Sequence, residues 1–310
     1  MRRRQLVVLA LASLGAPACA TGQGALSSTA PASFARADTG LLQRTLDSLA
    51  ARHRGVVGYT VHDLDTGERV ERRGDETFPT ASLIKVAILV TVFDLVEQKR
   101  LSLDDPLTVL RIDKVPGAGQ LQFLHDNATI SVRDAAWLMT TISDNTATNL
   151  LLSRIEMRRV WDAMEKRGLP RTKVHSKVLL RLASVAPDSS LKYGLGVTTP
   201  NEMAQLFALL ADGRAVSASA DSMVIDMLDH NEDGQLLQRF VEGIRAPHKT
   251  GATDAVRTEC AIFFLQSRVV GCAFTRENVD QRWVLDSEPQ RTMAALGMAI
   301  VRAWPGPAKP

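Results

Sequence analysis

The chain has 310 residues, of which 45% are hydrophobic and 23% are charged, and its formal net charge is +3 at pH 7. This composition is typical of a soluble globular protein, and it favours one large domain, or two lobes that share a core, over several small domains. Residues 1–18 contain three Arg and no acidic residue, so the rest of the chain is close to neutral. Charge therefore gives no support for nucleic-acid binding.

The N-terminus has the pattern of a secretory signal peptide over residues 1–20. Residues 2–4 are all Arg, residues 6–14 form a short apolar run, and residues 16–18 read Ala-Pro-Ala, a small-residue cleavage pattern. We therefore expect export, to the periplasm or the medium. Cys19 follows the cleavage pattern directly, which also allows lipid anchoring at this residue. No later apolar run predicts a transmembrane span in the mature chain.

Cysteine and histidine usage predicts neither a disulfide framework nor a metal site. Cys19, Cys260 and Cys272 are too few for a framework. Cys260 and Cys272 fall in neighbouring predicted strands, where a disulfide and two buried free thiols are both open alternatives. The six His residues are scattered without ligand spacing, so we predict no metal and no cofactor.

The first third of the chain predicts a helix, two strands and a buried helix. Residues 21–38 are rich in small and polar residues and predict a flexible leader. A helix is predicted over about 39–52, and strands are predicted at 56–61 and 69–72 on either side of an Asp-Thr-Gly turn. The helix that follows Ser82 is apolar nearly all round, which indicates that it lies inside the protein.

The middle of the chain is predicted to be helical. Ser131 with Asp134 forms a capping-box pattern, and Thr199 followed by Pro200 and Glu202 is a second helix start. Helices are predicted there over residues 131–143, 146–155, 160–166 and 199–211.

The last part of the chain returns to strands. Beyond Pro247, residues 261–265 and 269–274 predict a hairpin, and residues 288–304 predict a closing helix. Strands at both ends with helices between them indicate an α+β fold, an αβα sandwich with an antiparallel sheet plus an all-helical lobe. The predicted domain covers 39–306, with the α/β lobe at 39–75 and 215–306 and the helical lobe at 76–214.

Three short motifs occur in a specific order. Residues 82–85 read S-x-x-K, residues 143–145 read S-D-N, and residues 249–251 read K-T-G. S-x-x-K alone is weak evidence, since a second copy stands at residues 189–192 in a segment that looks like a loop. The combination of all three motifs in this order is much more specific than any one of them.

The first motif is suited to nucleophilic catalysis. Ser82 and Lys85 are three residues apart, so on a helix they share a face and the amine reaches the hydroxyl. A serine hydroxyl is a poor nucleophile until a base takes its proton. Lys85 can be this base if burial and a nearby cation, for which Lys249 is the candidate, lower its pKa. The helix N-terminus at Ser82 also presents N–H groups to an oxyanion.

With these motifs, and with the strings at 131–134, 143–151 and 198–200, the chain resembles a class A-type serine β-lactamase of the penicillin-recognising serine hydrolases, over about 40–305. The resemblance implies a β-lactamase/transpeptidase-like fold and opening of a β-lactam ring through an acyl-enzyme on Ser82. It further implies a monomer whose partner is a small β-lactam or related acyl substrate.

The resemblance also implies roles for single residues in the reaction. Lys85 would take the proton of the nucleophile, and Ser143 would relay a proton to the departing lactam nitrogen. Asn145 would hydrogen-bond the side-chain amide of the substrate. The N–H groups of Ser82 and Ala252 would form the oxyanion hole.

The third motif is implied to bind the carboxylate of the substrate. Lys249 and Thr250 would hold this group, with Gly251 completing the K-T-G strand. Arg257 is a candidate for a second carboxylate anchor, and a solvated strand arginine is the alternative. A loop near residues 116–120 is implied to border the substrate cleft.

One part of the family pattern is absent. The resemblance implies a Glu in an E-x-x-L-N segment that activates water for deacylation, but the window at 171–192 contains no Glu, and its only acid is Asp188. A general base typically contributes about 10²–10⁴-fold to such a step. We therefore predict a β-lactamase-type hydrolase of modest activity, in which Lys85 or Asp188 activates water. The alternatives are a D,D-peptidase or esterase and a penicillin-binding sensor without turnover.

Overall fold

The computed structural model describes residues 37–304. The predictions for the signal peptide, for Cys19 and for nearly all of the leader lie outside these residues. The helices in the described range are α1 (Thr39–Ala51), α2 (Lys85–Glu97), α3 (Val132–Thr141), α4 (Asn145–Ile155), α5 (Met157–Lys166), α6 (Pro187–Tyr193), α7 (Pro200–Ala211), α8 (Ala218–Asp229) and α9 (Glu288–Ala303). The strands are β1 (Val56–Asp63), β2 (Arg69–Arg72), β3 (Phe78–Pro79), β4 (Pro106–Val109), β5 (Ala128–Ser131), β6 (Lys173–Val174), β7 (Gly196–Thr198), β8 (His248–Thr253), β9 (Val256–Phe264) and β10 (Arg268–Arg276).

The main sheet has the order β2-β1-β10-β9-β8, and all its neighbouring strands are antiparallel. Successive residues of a strand point to opposite faces, so the sheet supports two hydrophobic cores. On one face, Leu46 of α1 and Leu296 of α9 pack with Phe263. On the other face, Phe207 of α7 packs with Phe274 and joins the core of the helical part. The predicted α+β fold is confirmed.

Helix α2 lies in the centre of this second core. Ten of its thirteen residues are buried, and it packs against α3, α4, α5 and α8. This confirms the prediction from its apolar residues on all sides. Ser82 lies just ahead of α2, in a 3₁₀ turn at Ala81–Ile84. Ala81 has a positive φ of 45°, so the chain turns sharply before the helix begins.

The structure confirms two predicted helix caps, and it shows a helix in one segment that was predicted as a loop. Ser131 and Asp134 form the reciprocal capping box, and the Thr199 hydroxyl accepts a hydrogen bond from the Glu202 N–H. Residues 189–192, predicted as loop, lie in the short helix α6. Pro187 at the first turn of α6 supplies a backbone angle suited to a helix start, a signal that the surrounding small and polar residues obscure.

The two remaining cysteines form a disulfide between β9 and β10. Cys260 and Cys272 are directly opposite each other in the ladder, with Cα atoms 4.1 Å apart. The turn register, which the sequence left open, places both side chains on the same face of the sheet.

Within residues 37–304, no helix has both the length and the apolar character that crossing a bilayer requires.

Candidate active site

A cavity of about 1030 Å³ brings the three motifs together. It lies where the turn of Ser82 meets the edge strand β8, the loop after α3 and the segment between β6 and β7. Its wall is formed by Pro79, Ala81, Ser82, Pro116, Gly117, Ala118, Ser143, Asn145, Ser176, Lys177, Val178, Leu179, Ser190, Leu191, Lys192, Tyr193, Gly194, Leu195, Asp233, Thr250, Gly251, Ala252, Thr253, Ala255, Val256 and Trp283.

Strand β8 directs an N–H group towards this cavity. In an antiparallel ladder, alternate residues bond to the partner strand and the others point away from it. The Ile262 N–H donates to the Pro247 carbonyl, so position 247 faces β9. Every second residue after it, at 249, 251 and 253, faces β9 as well. The N–H of Ala252 is therefore directed away from β9. Because β8 is the edge of the sheet, this N–H lies on the open side, as an oxyanion hole with the N–H of Ser82 requires.

Gly251 allows β8 to approach the turn of Ser82. A Cβ atom at this position would lie 2.3 Å from the Thr80 carbonyl oxygen and 2.8 Å from the Leu83 nitrogen, so no larger residue fits. The Thr258 hydroxyl donates to the same Thr80 carbonyl over 2.8 Å and ties β9 to the turn. The distance between Ser82 and the N–H of Ala252 is thus set by backbone packing.

Lys85 connects the first motif to the second. Its Nζ lies 2.6 Å from the Ser143 carbonyl oxygen, 3.0 Å from Asn145 Oδ1 and 3.1 Å from Ser143 Oγ. Ser143 has a positive φ of 58° between α3 and α4, which turns both its carbonyl and its hydroxyl towards the amine. Among the described residues, the amine makes no hydrogen bond to Ser82 Oγ, in contrast to the direct contact expected from their spacing.

The surroundings of Lys85 make its amine a weaker base than that of an ordinary lysine. The side chain is 1% exposed, and burial, followed by the charge of Lys249, holds its pKa well below the usual lysine value. The carbonyl of Ser143 and the amide oxygen of Asn145 can only accept, so the amine donates to both, and it also donates to Ser143 Oγ.

Asp144 holds the second motif in place. Its buried carboxylate accepts hydrogen bonds from the N–H groups of Gln120, Leu121 and Ala147, at 2.6, 2.9 and 2.8 Å. It therefore caps α4 and anchors the loop at 116–120, which borders the cavity as the resemblance implied. Gly119 is needed for this approach, because a Cβ there would lie 2.2 Å from the carboxyl carbon of Asp144.

Lys249 lies behind the opposite wall of the cavity. It is fully buried, and burial lowers its pKa to about 8, although the charges of Asp233 and Glu259 act in the opposite direction. Its Nζ donates to the Thr250 carbonyl over 3.1 Å. The Thr250 hydroxyl donates to Asp233 Oδ2 over 2.8 Å. Burial raises the pKa of Glu259 well above its usual value.

Arg257 does not belong to the cavity wall. It is opposite Ala252 in the ladder, and its guanidinium lies beneath Trp283, 4.6 Å from the ring centre. One guanidinium nitrogen, Nη1, donates to the carbonyls of Thr253 and Val256. Arg257 is 1% exposed, so the alternative of a solvated strand arginine is wrong. Its role as a second carboxylate anchor stays a prediction.

The segment at 175–195 forms the remaining wall. Val178 is held through both backbone groups: its N–H donates to Asn149 Oδ1 at 2.8 Å, and its carbonyl accepts from Asn149 Nδ2 at 3.2 Å. Val178 and Leu179 line the cavity where an acid was expected, whereas Asp188 is exposed and outside the wall. Asp233 is the one acidic residue among the wall residues.

Comparison with known proteins agrees with this geometry. A model of the Beta-lactamase enzyme family matches residues 41–304. The chain belongs to this family. β-Lactamase L2 of Stenotrophomonas maltophilia is 26% identical over 266 residues, 81% of each chain, and β-lactamase BRO-1 of Moraxella catarrhalis is 30% identical over 242 residues, 76% of each chain. The solved structure of an ancestral class A β-lactamase has a TM-score of 0.75 and 26% identity, and the match covers 85% of this chain and 100% of the other.

For this β-lactamase-family chain, the class A resemblance and the fold that it implied are therefore confirmed. The structure brings Ser82, Ser143, Asn145 and the strand at 250–252 to one cavity, with the amines of Lys85 and Lys249 buried behind its walls. The chemical roles of these residues stay predictions.

Two residues of this β-lactamase-family site were not singled out by sequence reasoning. Asn149 lies in the string at 143–151 that carried the resemblance, but nothing in the sequence shows that its side chain faces the segment at 175–195. Asp233 lies in a stretch without regular periodicity between α8 and β8. Only tertiary packing brings its carboxylate to Thr250.

Proposed function

We propose that this protein is a serine β-lactamase-type hydrolase that forms an acyl-enzyme on Ser82 and releases it slowly. The observation that carries this proposal is the set of contacts of Lys85, whose buried amine bonds both Ser143 and Asn145 beside the cavity that contains Ser82. A base of lowered pKa, two hydroxyl groups and a pair of N–H donors are the components that acyl transfer needs.

In the first step, Ser82 Oγ attacks the lactam carbonyl carbon while Lys85 takes the hydroxyl proton. The N–H groups of Ser82 and Ala252 stabilise the negative charge that develops on the carbonyl oxygen. The C–N bond of the ring then breaks, and Ser143 Oγ passes a proton to the departing nitrogen. Lys85 lies 3.1 Å from this hydroxyl and resupplies its proton, which leaves the amine neutral and the acyl group on Ser82.

Water must attack the ester in the second step. The nearby segment presents Val178 and Leu179 to the cavity, and Asp188 is outside its wall. Lys85 is therefore the base that we propose for water as well. The same amine then serves both steps, without an added carboxylate. A general base typically contributes about 10²–10⁴-fold to such a step. We therefore propose that deacylation is slower, by up to this factor, than it would be with a carboxylate base in the wall.

The test is nitrocefin hydrolysis by the wild type and by Ser82→Ala, combined with intact-protein mass spectrometry during the reaction. We expect turnover with a transient acyl adduct in the wild type, and neither in the variant. Equal rates in the two proteins would remove the proposed mechanism. A persistent adduct would favour a sensor, and release of D-alanine from a diacyl-D-Ala-D-Ala peptide without nitrocefin turnover would favour a D,D-peptidase.

The location of the protein is a separate proposal. We propose that the chain is exported, as the pattern at residues 1–20 predicts. The disulfide between Cys260 and Cys272 supports this proposal, since such bonds persist mainly in oxidising compartments. Fractionation of cells that express the full chain, with immunodetection of the processed protein, would test it.

A further inference from the structure

Asp233 occupies the end of the cavity at which Thr250 would meet the carboxylate of a substrate. Its Oδ2 accepts the only hydroxyl proton that Thr250 has, over 2.8 Å. Its Oδ1 accepts no hydrogen bond from the described residues. A bound carboxylate would have to replace Asp233 as the acceptor of this proton, and it would then lie beside a second negative charge.

The position of Asp233 is fixed by its backbone. The Asp233 carbonyl lies 3.1 Å from His248 Nε2, and its N–H donates to Asn231 Oδ1 over 3.0 Å. The side-chain amide of Asn231 donates in turn to the Thr140 carbonyl at the end of α3. Because both backbone groups of the residue are tied to neighbouring elements, the backbone of Asp233 cannot move away from the cavity without breaking these bonds, and the carboxylate of this exposed residue is held by the hydroxyl of Thr250.

The local charge balance also opposes an anionic group. Lys249 is a cation of this end, and the negative charge of Asp233 already acts on it. His248 is buried with its pKa lowered. Arg257 lies outside the wall, where its Nη1 donates to backbone carbonyls and its Nη2 has no partner among the described residues, and the charge of Asp233 acts on it as well. A substrate carboxylate therefore meets a cation whose charge is already offset, together with a carboxylate that repels it.

We propose that Asp233 is a specificity-determining residue, and that the substrate best suited to this site carries an uncharged hydrogen-bond donor, such as a carboxamide, where a penicillin carries its carboxylate. A carboxamide N–H can donate to the free Oδ1 of Asp233, and its carbonyl can accept from the Thr250 N–H, which also points to the open edge of β8. This inference rests on the proposed function, since it concerns the same site and the same acylated serine.

The test uses two thioesters with the same N-benzoylglycyl group and different leaving thiols, 2-mercaptoacetate and 2-mercaptoacetamide. In either, Ser82 Oγ would bond to the acyl carbon as the C–S bond breaks, the thiol would leave with the serine proton, and water would release the acid. Binding is measured by ligand-observed NMR titration in the Ser82→Ala protein, so that it does not depend on turnover. Asp233→Asn is then added to this protein, with Glu232→Gln as the control, an adjacent exposed acid outside the wall.

We expect the Ser82→Ala protein to bind the carboxamide at least about threefold more tightly, and Asp233→Asn to tighten carboxylate binding about tenfold, as removal of one close like charge would do. Glu232→Gln should leave both dissociation constants unchanged. Any one of three results would overturn the inference. The first is tighter binding of the carboxylate than of the carboxamide with Asp233 present. The second is a ratio of the two dissociation constants that Asp233→Asn leaves unchanged, and the third is no binding of either ligand. The proposed function fails by a different result, turnover that does not need Ser82.

Discussion

The wall at the first two motifs and the wall at 175–195 differ in chemistry although the same helix supports both. At the start of α4, Asn145 bonds the amine of Lys85, and one turn later Asn149 holds Val178 by both backbone groups. The first wall presents hydroxyl and amide groups to the cavity, with the amine of Lys85 buried behind it. The second wall combines aliphatic side chains with two serines, a tyrosine and two lysines, and it has no carboxylate. One of these lysines, Lys177, is paired with Asp113 at 3.1 Å.

In the mechanism that we propose, acylation and deacylation place separate demands on the fold. Asn149 fixes the backbone of Val178 in the second wall, where the proposed deacylation would need a base, but the wall residues at 175–195 include no carboxylate.

The largest effect is expected at Lys85. Lys85→Ala removes the base and the donor to Ser143 and Asn145, so the rate of acylation by nitrocefin should fall about 10²–10⁴-fold. Stopped-flow absorbance with mass spectrometry of the adduct measures this rate. Lys85→Arg is the matched variant: it keeps a cationic donor but cannot act as a base near neutral pH. An arginine variant that acylates as fast as the wild type would contradict the role of the amine.

The next effect is expected in the second wall. Val178→Glu places a carboxylate on a backbone that Asn149 already holds, so the deacylation rate should rise by about 10²-fold, the lower end of what a general base contributes. Decay of the acyl adduct after removal of free penicillin measures this rate. Val178→Gln is the isosteric control without a base, and an equal gain in that variant would show that polarity, rather than proton transfer, limits the wild type.

The smallest effect is expected from pH. The pKa of Lys249 is lowered from 10.5 to about 8, so this lysine is charged below pH 8 and neutral above it. Binding of an anionic β-lactam uses the charge, hence kcat/KM for nitrocefin should fall as pH rises through about 8, towards tenfold per pH unit if the charge is essential. A steady-state pH profile measures the decline. A profile that stays flat to pH 10 would show that Lys249 contributes no charge to binding.

The regular elements were the most predictable part of the fold. The apolar residues around α2 required burial on every side, and the capping signals at Ser131 and Thr199 marked helix starts to the residue. These signals are local, so a single sequence contains them. The helix α6 was missed because its small polar residues have no strong period, and it forms where the segment packs beside the cavity.

Local patterns in the sequence identify the chemical groups of the site. The order of the three motifs points to the serine, the two lysines and the K-T-G strand, and residues 171–192 contain no Glu. How these groups meet depends on tertiary packing. It bonds Lys85 to Ser143 and Asn145, buries Arg257 under Trp283 and brings Asp233 to the hydroxyl of Thr250. The physical reason is that such contacts join residues distant in the chain, and their geometry depends on packing and strand register, which no local pattern encodes.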